Sequence, residues 1–232
     1  MATESETLLT TLRDIAALAV TESDFSETAE SVVALACETL GCDHAGLSVF
    51  SAGGSFTTMG ETSPLVAEAD RMQYEYGEGP CVEAAWEQDT FVCNDLANDQ
   101  RWSTWGPKAA TLGFGSLLAA RLTIAGESLG ALNLYSTNVR EFSAEDRDTA
   151  VILATHAAAP LIAVRERENL KVAVDGRTVI GQAQGILMQR FEVDADTAFS
   201  VLRRYSQVQN VKLRAVAELV VKEGGLPPTD TA

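Results

Sequence analysis

The sequence predicts two folding units in tandem. The first is an α+β domain whose antiparallel sheet is covered by helices. The second is an all-α unit of three helices, joined to the first through a long helix. Three observations carry this expectation. First, the β-prone runs AGLSVF (45–50), GSLLAARLTI (115–124) and ESLGALNLYS (127–136) alternate with helical runs over the first two thirds of the chain. Second, between residues 177 and 214 the apolar positions recur at helical spacing, with steps of three and four that trace one face. Third, the charge balance changes at the same place: residues 1–170 hold nine Lys/Arg against twenty-six Asp/Glu, whereas residues 171–223 hold eight against six. The domains are expected at 1–165 and 166–232.

In the first domain, Leu8, Leu12, Ile15, Ala16 and Ala19 predict a helix over 7–20, and Ala29, Val32, Val33, Ala36 and Leu40 a second over 25–40. Asp24 or Ser26 can cap the second helix, and Gly41 ends it. The strand 45–50 turns at Gly53-Gly54 into a hairpin partner, SFTTMG (55–60). Ser63 caps a helix over 63–76, with Pro64 in its first turn. A Gly-Pro turn feeds a short helix within GEGPCVEAAW (77–86), and TFVCNDL (90–96) is a strand. A loop and helix follow over 101–113. Ala125-Gly126 joins the last two strands in a hairpin at the centre of the sheet. Ser143 and Asp146 form a variant capping box for a helix through Ala150, Leu153, Ala154, Ala157 and Leu161, which Pro160 kinks or divides.

Charged helical sequence over 162–176 leads into the second domain. Three amphipathic helices follow, carried by Val179, Ile180, Ala183, Ile186, Leu187 and Phe191; by Ala198, Val201, Leu202 and Tyr205; and by Leu213, Val216, Ala217 and Val220. Asp194 can cap the second, Asn210 the third, and Gly224-Gly225 ends it.

Composition limits the function. A hydrophobic fraction of 46% is ample for packed cores. No apolar run reaches eighteen residues, so no membrane span is expected. The acidic N-terminus MATESETLLT lacks the features of a signal peptide, and cytoplasmic residence is expected. Cys37, Cys42, Cys81 and Cys93 form no CxxC pair and read as buried or free thiols. The formal charge of −16 argues against nucleic acid until its distribution is considered. Arg177, Arg190, Arg203, Arg204, Lys212 and Arg214 fall close together in the less acidic part; they are a phosphate-binding set or an ordinary solvated face.

No catalytic centre or cofactor site is expected. His44 and His156 are isolated, His156 on a helix among small apolar neighbours, and both read as structural; no metal site follows. Cys81 can sit at a helix N-terminus, where a thiol pKa falls, but has no histidine beside it. Glu78, Glu83 and Asp95 either border a pocket or act as caps. The glycine-rich nucleotide loops are absent.

The C-terminal part resembles the ANTAR domain, the RNA-binding antitermination module of bacterial regulators. The match runs through Arg177, Ala183-Gln184-Gly185, Ile186-Leu187-Met188, Ala198-Phe199, Leu202-Arg203, Ser206, Asn210, Leu213 and Val216-Ala217. Gln184 stands where that family has lysine. The N-terminal part is similar to the GAF domain family over about residues 10–165, through Gly77-Glu78-Gly79-Pro80-Cys81, Glu83-Ala84, Asp95-Leu96, Arg101-Trp102, Gly113 and 130–136.

The resemblance implies an RNA-binding transcription antitermination regulator, with a GAF sensor controlling an ANTAR domain that binds paired stem-loops in nascent transcripts. Arg203, Arg204, Lys212 and Arg214 would clamp phosphates, with Arg177 and Arg190 nearby. Ser206, Gln209 and Asn210 would reach base edges, although capping alone also explains Asn210. Gly185 serves close approach of RNA or close helix packing, Gln184 replaces a phosphate-seeking charge, and Tyr205 stacks on a base or joins the core. A homodimer is implied through a helical stalk with Ala163, Leu170, Arg177 and Gln184 against Glu166, Ala173, Ile180 and Leu187; a monomeric connecting helix is the other reading.

A GAF fold commonly encloses a small-molecule pocket. Trp86, Phe91, Trp102, Trp105, Phe114 and Tyr135 either line one here or form plain core. The NKxxFxxxDE signature of cyclic-nucleotide GAF domains and the phytochrome pattern are both missing, so the ligand is left unnamed. The rival function is a small-molecule sensor whose C-terminal helices bind a protein partner.

Overall fold

The computed structural model describes residues 4–50, 56–87 and 90–226, with side chains throughout except at 4, 85–87 and 127. The expected Gly53-Gly54 turn lies outside the described residues. The chain divides into two compact units, residues 1–166 and 167–232.

The first unit runs α1 (Glu4–Thr21), α2 (Phe25–Leu40), β1 (His44–Phe50), β2 (Phe56–Glu61), α3 (Pro64–Tyr76), α4 (Pro80–Glu87), β3 (Phe91–Cys93), a 3-10 turn (Gln100–Trp102), α5 (Gly106–Thr111), β4 (Ser116–Ile124) and β5 (Glu127–Ser136). The strands form one antiparallel sheet in the order β2-β1-β5-β4-β3. Side chains alternate across each strand, so the sheet buries both faces. Leu47, Leu118, Leu122, Leu132 and Leu134 pack on one side against Ile15, Val32, Val33, Leu153 and Leu161. On the other side Leu117 and Tyr135 pack with Val66, Trp102, Trp105 and Phe114.

Local chemistry starts and stops the helices as expected. Asp24, not Ser26, caps α2: its Oδ1 accepts from the backbone N–H of Ser26 at 2.8 Å and of Glu27 at 3.2 Å. Gly41 ends that helix at φ +58°. Ser63 caps α3 through Leu65 N–H. Ser143 and Asp146 bond reciprocally at 2.8 and 3.0 Å, a capping box with aspartate as its acid. Ala125 and Gly126 both have positive φ, which suits a two-residue turn between twisted strands.

Two expectations change here. Pro160 does not divide its helix: α6 (Ala144–Phe191) runs 48 residues without a break. Pro160 is buried and flanked by buried Ala157, Ala158 and Leu161, so packing holds the segment helical despite one lost N–H donor. That same helix is long and apolar enough over one eighteen-residue window to meet the length and composition of a membrane span. In the first unit its apolar stripe, Ala150, Leu153, Ala154, Ala157 and Leu161, is instead buried in the core shared with α2 and the sheet. His156 departs as well. It is exposed, with Nδ1 2.8 Å from the Ile152 carbonyl oxygen.

The second unit holds the C-terminal part of α6, α7 (Ala195–Gln209) and α8 (Leu213–Glu223). Ala183, Leu187, Ala198, Leu202, Val216, Ala217 and Val220 are its core, with Val179, Ile180, Ile186, Val201, Tyr205 and Leu213 packed around them. Phe191 does not join them; it is 54% exposed at the end of α6, and Val193 packs on the core instead.

Candidate nucleic-acid interface

The connections within the second unit decide which predicted residues meet. Asp194 Oδ1 accepts from Thr197 N–H at 2.7 Å and starts α7. Asn210 does not cap α8. It sits in the left-handed region at φ +52° and closes α7, while Val211 N–H donates to Ser206 O at 3.0 Å. The N-cap of α8 is Lys212, which supplies no capping oxygen. Asparagine tolerates positive φ better than most residues, which suits it to this C-cap. Ser206 Oγ adds a donation to the Val211 carbonyl at 2.6 Å and stiffens the turn.

Two arginine contacts orient the bundle. Arg214 Nη1 reaches the Val172 carbonyl on α6 at 3.4 Å. Arg190 Nη1, at the far end of α6, donates to the Gly224 carbonyl at 2.7 Å. Helices α6 and α8 therefore run in the same direction, with α7 returning between them. The predicted set splits in two. Arg177, Ser206, Gln209, Asn210, Lys212 and Arg214 gather toward the α7–α8 turn. Gln184, Gly185 and Arg190 lie toward the α6–α7 connection, about 20 Å away at 1.5 Å per residue from Arg177 to Arg190.

Engagement divides them further. Gln184 Nε2 donates to the Ala195 carbonyl at 3.1 Å, Arg190 is held as above, and Arg214 Nε also donates to Glu218 at 2.9 Å. Arg177, Arg203, Arg204 and Lys212 are exposed and form no hydrogen bond or ion pair among the described residues. Arg203 and Arg204 point outward from α7, whose inner side is Ala198 and Leu202. Tyr205 is half-buried against the core, in keeping with its core reading. Gly185 is exposed, and a Cβ there would meet nothing within 4 Å, so close helix packing does not explain it. Ile180 and Leu187 belong to this unit's own core, so the proposed stalk seam does not continue through them.

In the first unit, the sheet face under α3 and α4 carries a buried polar cluster. Asp70 on α3 is fully buried. Its carboxylate accepts from Tyr135 Oη at 2.6 Å, Asn133 Nδ2 at 3.2 Å, Thr58 Oγ1 at 3.2 Å, Ser48 Oγ at 3.3 Å and Gln73 Nε2 at 3.3 Å. Burial pushes Asp70 up to about 6, and the donors from Tyr135, Asn133, Thr58 and Ser48 pull against it. Gln73 Oε1 accepts from Cys81 N–H at 2.9 Å and ties α4 to the cluster.

The comparisons follow this division. The GAF domain family matches residues 22–161, more than half of the chain, and the ANTAR domain family matches 168–221. The chain belongs to the GAF domain family and carries an ANTAR domain. ANTAR is an RNA-binding antitermination domain and GAF a sensor domain; both are regulatory.

Solved structures share the fold of the GAF unit. The GAF domain of a phosphoenolpyruvate-protein phosphotransferase from Coxiella burnetii is 20% identical, covers 72% of this chain and 99% of its own, and has a TM-score of 0.58. Free methionine-R-sulfoxide reductase from Neisseria meningitidis, solved with its substrate, is 18% identical over 72% and 95%, TM-score 0.55. A GAF sensor protein from Burkholderia vietnamiensis is 21% identical over 72% and 96%, TM-score 0.53. No curated protein matches the chain.

Within the GAF unit, the aromatic candidates read as core. Trp102, Trp105, Phe114 and Tyr135 are buried and Phe91 packs against them; the side chain of Trp86 lies outside the described residues. The acids are structural. Glu83 accepts from Trp102 Nε1 at 2.7 Å, Glu78 from the Thr104 and Trp105 N–H groups at 2.7 and 3.1 Å, and Asp95 from Asn98 Nδ2 at 2.8 Å. Cys81 is fully buried, and burial pushes its thiol up to about 12, with the Asp70 charge adding. That is opposite to what a nucleophile needs.

His44 packs edge-on against Phe114, with centroids 5.6 Å apart. Asp70 escaped the sequence reading. Its one signal was position, on the same helical face as Val66, Ala69 and Gln73.

Proposed function

We propose that the protein is a cytoplasmic transcription antitermination regulator. Its ANTAR domain binds paired stem-loops in nascent RNA, and its GAF unit senses a small ligand or another signal. The single observation that carries the RNA reading is the set of exposed cations Arg177, Arg203, Arg204 and Lys212, without partners among the described residues, of which Arg177 and Lys212 gather toward the amide-rich α7–α8 turn. Free guanidinium and ammonium groups are available for phosphate, and Gln209 and Asn210 offer amides to unstacked bases. Arg190 and Gln184, already engaged by backbone carbonyls, take a structural role in this reading.

The protein acts as a homodimer. Leu170, Ala173 and Val174 support this, as an exposed apolar stripe at steps of three and four on α6.

A filter-binding titration with a tandem-hairpin RNA tests the proposal. Arg203→Ala with Lys212→Ala should weaken binding and lower the slope of log K against log salt by about 1.4, at roughly 0.7 for each phosphate no longer neutralised. Unchanged affinity and slope would remove these residues from the interface. A second reading, docking of a protein partner, draws on the exposed Met188, Phe191 and Phe199. Retention of a stoichiometric protein, with no nuclease-sensitive RNA, would favour it.

A further inference from the structure

Phe199 on α7 is 37% exposed, and Met188 on α6 is exposed to the same degree. A lone apolar side chain in water is ordinary. These two, however, border one groove. At 3.6 residues per turn, the inner side of α7 is Ala198 and Leu202, and one flank of it carries Ala195, Phe199 and Arg203. The inner side of α6 in this unit is Ala183 and Leu187, and one flank of it carries Arg177, Gln184 and Met188. A single bond joins the two flanks: Gln184 Nε2 donates to the Ala195 carbonyl at 3.1 Å. That carbonyl lies four residues before Phe199, so it is the helical acceptor for the Phe199 N–H.

The antiparallel course of α6 and α7 then sets the levels. Counted from the Gln184–Ala195 bond, Arg177 lies seven residues back along α6 and Arg203 eight residues on along α7. Those steps are about 10 and 12 Å in the same direction. Two exposed cations without partners among the described residues therefore stand at one level on the two banks of the groove, and Phe199 lies between them and the bond. Among the described residues no ring packs on Phe199 and no cation lies over it.

A planar apolar face beside two guanidinium groups suits an unstacked base with its phosphates. A protein segment needs acids at two matched places to fit the same groove, whereas RNA carries a charge at every nucleotide. Tyr205 is half-buried against the core and does not offer its ring in this way. Asp196 is exposed three residues before Phe199 and repels phosphate, so the bound strand leaves the ring toward Arg203.

We propose that Phe199 is the stacking platform of the RNA-binding unit. One unstacked loop base lies on its ring, and the phosphates next to that base pair with Arg177 and Arg203 across the α6–α7 groove. This rests on the RNA reading above and adds a base contact to its phosphate contacts.

The test uses the full chain and a tandem-hairpin RNA selected on it from a random-loop pool, with 2-aminopurine placed at one loop position at a time. Stacking quenches that fluorophore. Binding of the wild type should quench at least one loop position about twofold or more. Phe199→Leu keeps apolar bulk but has no ring; it should lose the quench and weaken binding roughly tenfold, at an unchanged melting temperature. Phe199→Tyr restores the ring and should restore both.

The proposal is overturned if bound wild type quenches no loop position, a result that needs no variant to fold. It is also overturned if Phe199→Leu binds and quenches as the wild type does, or if Phe199→Tyr fails as Phe199→Leu does. Retention of a stoichiometric protein that Phe199→Leu releases, with RNA affinity unchanged, gives the groove to a protein partner instead. In each of these cases RNA binding by the wild type stands and only the platform is lost. Failure of the wild type to select any hairpin removes the antitermination reading itself, and the platform with it.

Discussion

At the scale of single residues, Asp70 is a fully buried carboxyl inside the GAF unit. A carboxyl whose folded pKa is about 6, against an ordinary value near 3.8, binds protons more readily in the folded state. Its contribution to stability is therefore most favourable below the unfolded value and is lost as pH rises through about 6. The shift corresponds to about 3 kcal/mol at neutral pH, at 1.36 kcal/mol per pKa unit. Urea unfolding of the wild type should thus show stability falling between about pH 4 and 6, and Asp70→Asn should flatten that fall. Asp43, Asp99 and Asp194 are shifted downward and act below that window. An equal slope in wild type and variant would show that Asp70 does not titrate there. Gly185 gives a second test. It is an exposed helical glycine with open space around it, so Gly185→Ala should raise stability by up to about 1 kcal/mol. A simultaneous loss of hairpin affinity would show that RNA needs the bare backbone at this point.

Among elements, the α7–α8 turn separates capping from recognition. Asn210 holds φ +52°, so Asn210→Gly should leave stability within a few tenths of a kcal/mol, whereas Asn210→Ala should cost about 1 kcal/mol. If the Asn210 amide also reads a base, the glycine variant loses RNA affinity at unchanged melting temperature. The same turn shows where sequence reading stops. Asp24, Ser63, Ser143 and Asp194 were legible as caps because the side chain and its N–H partners lie within three residues. Asn210 sits between two helices and suits either end; only its φ assigns it. Pro160 reads as a break because the packing that holds it comes from distant residues. The cations of the RNA-binding unit were legible as residue types, but the engagement of Arg190 with Gly224 depends on how α8 returns past α6. Asp70 carried only its place on the buried face of α3, and an acid in an amphipathic helix reads as solvent-facing until the elements that cover it are placed.

For the molecule as a whole, charge sets a competition. Residues 1–170 hold nine Lys/Arg against twenty-six Asp/Glu, and the RNA-binding part, at 171–223, holds eight against six. Phosphate contacts release counterions, so the four cations of the proposed interface, Arg177, Arg203, Arg204 and Lys212, predict a slope of log K against log salt near −3 at moderate ionic strength, at roughly 0.7 each. The tethered acidic body repels the same RNA over a range set by screening. That range is about 8 Å at physiological salt and about 30 Å at 0.01 M. Near 0.15 M the repulsion is largely screened and the contacts dominate. As salt is lowered, contact affinity rises, and the body's repulsion extends far enough to oppose it. Hairpin affinity should therefore climb on dilution from about 0.3 M, then flatten or turn over below about 0.03 M, as the screening length grows toward about 30 Å at 0.01 M. A fluorescence-anisotropy titration across that range measures the curve directly. A straight line down to about 0.01 M would mean that the acidic unit exerts no force on bound RNA, and would remove electrostatic gating by that unit as a means of control.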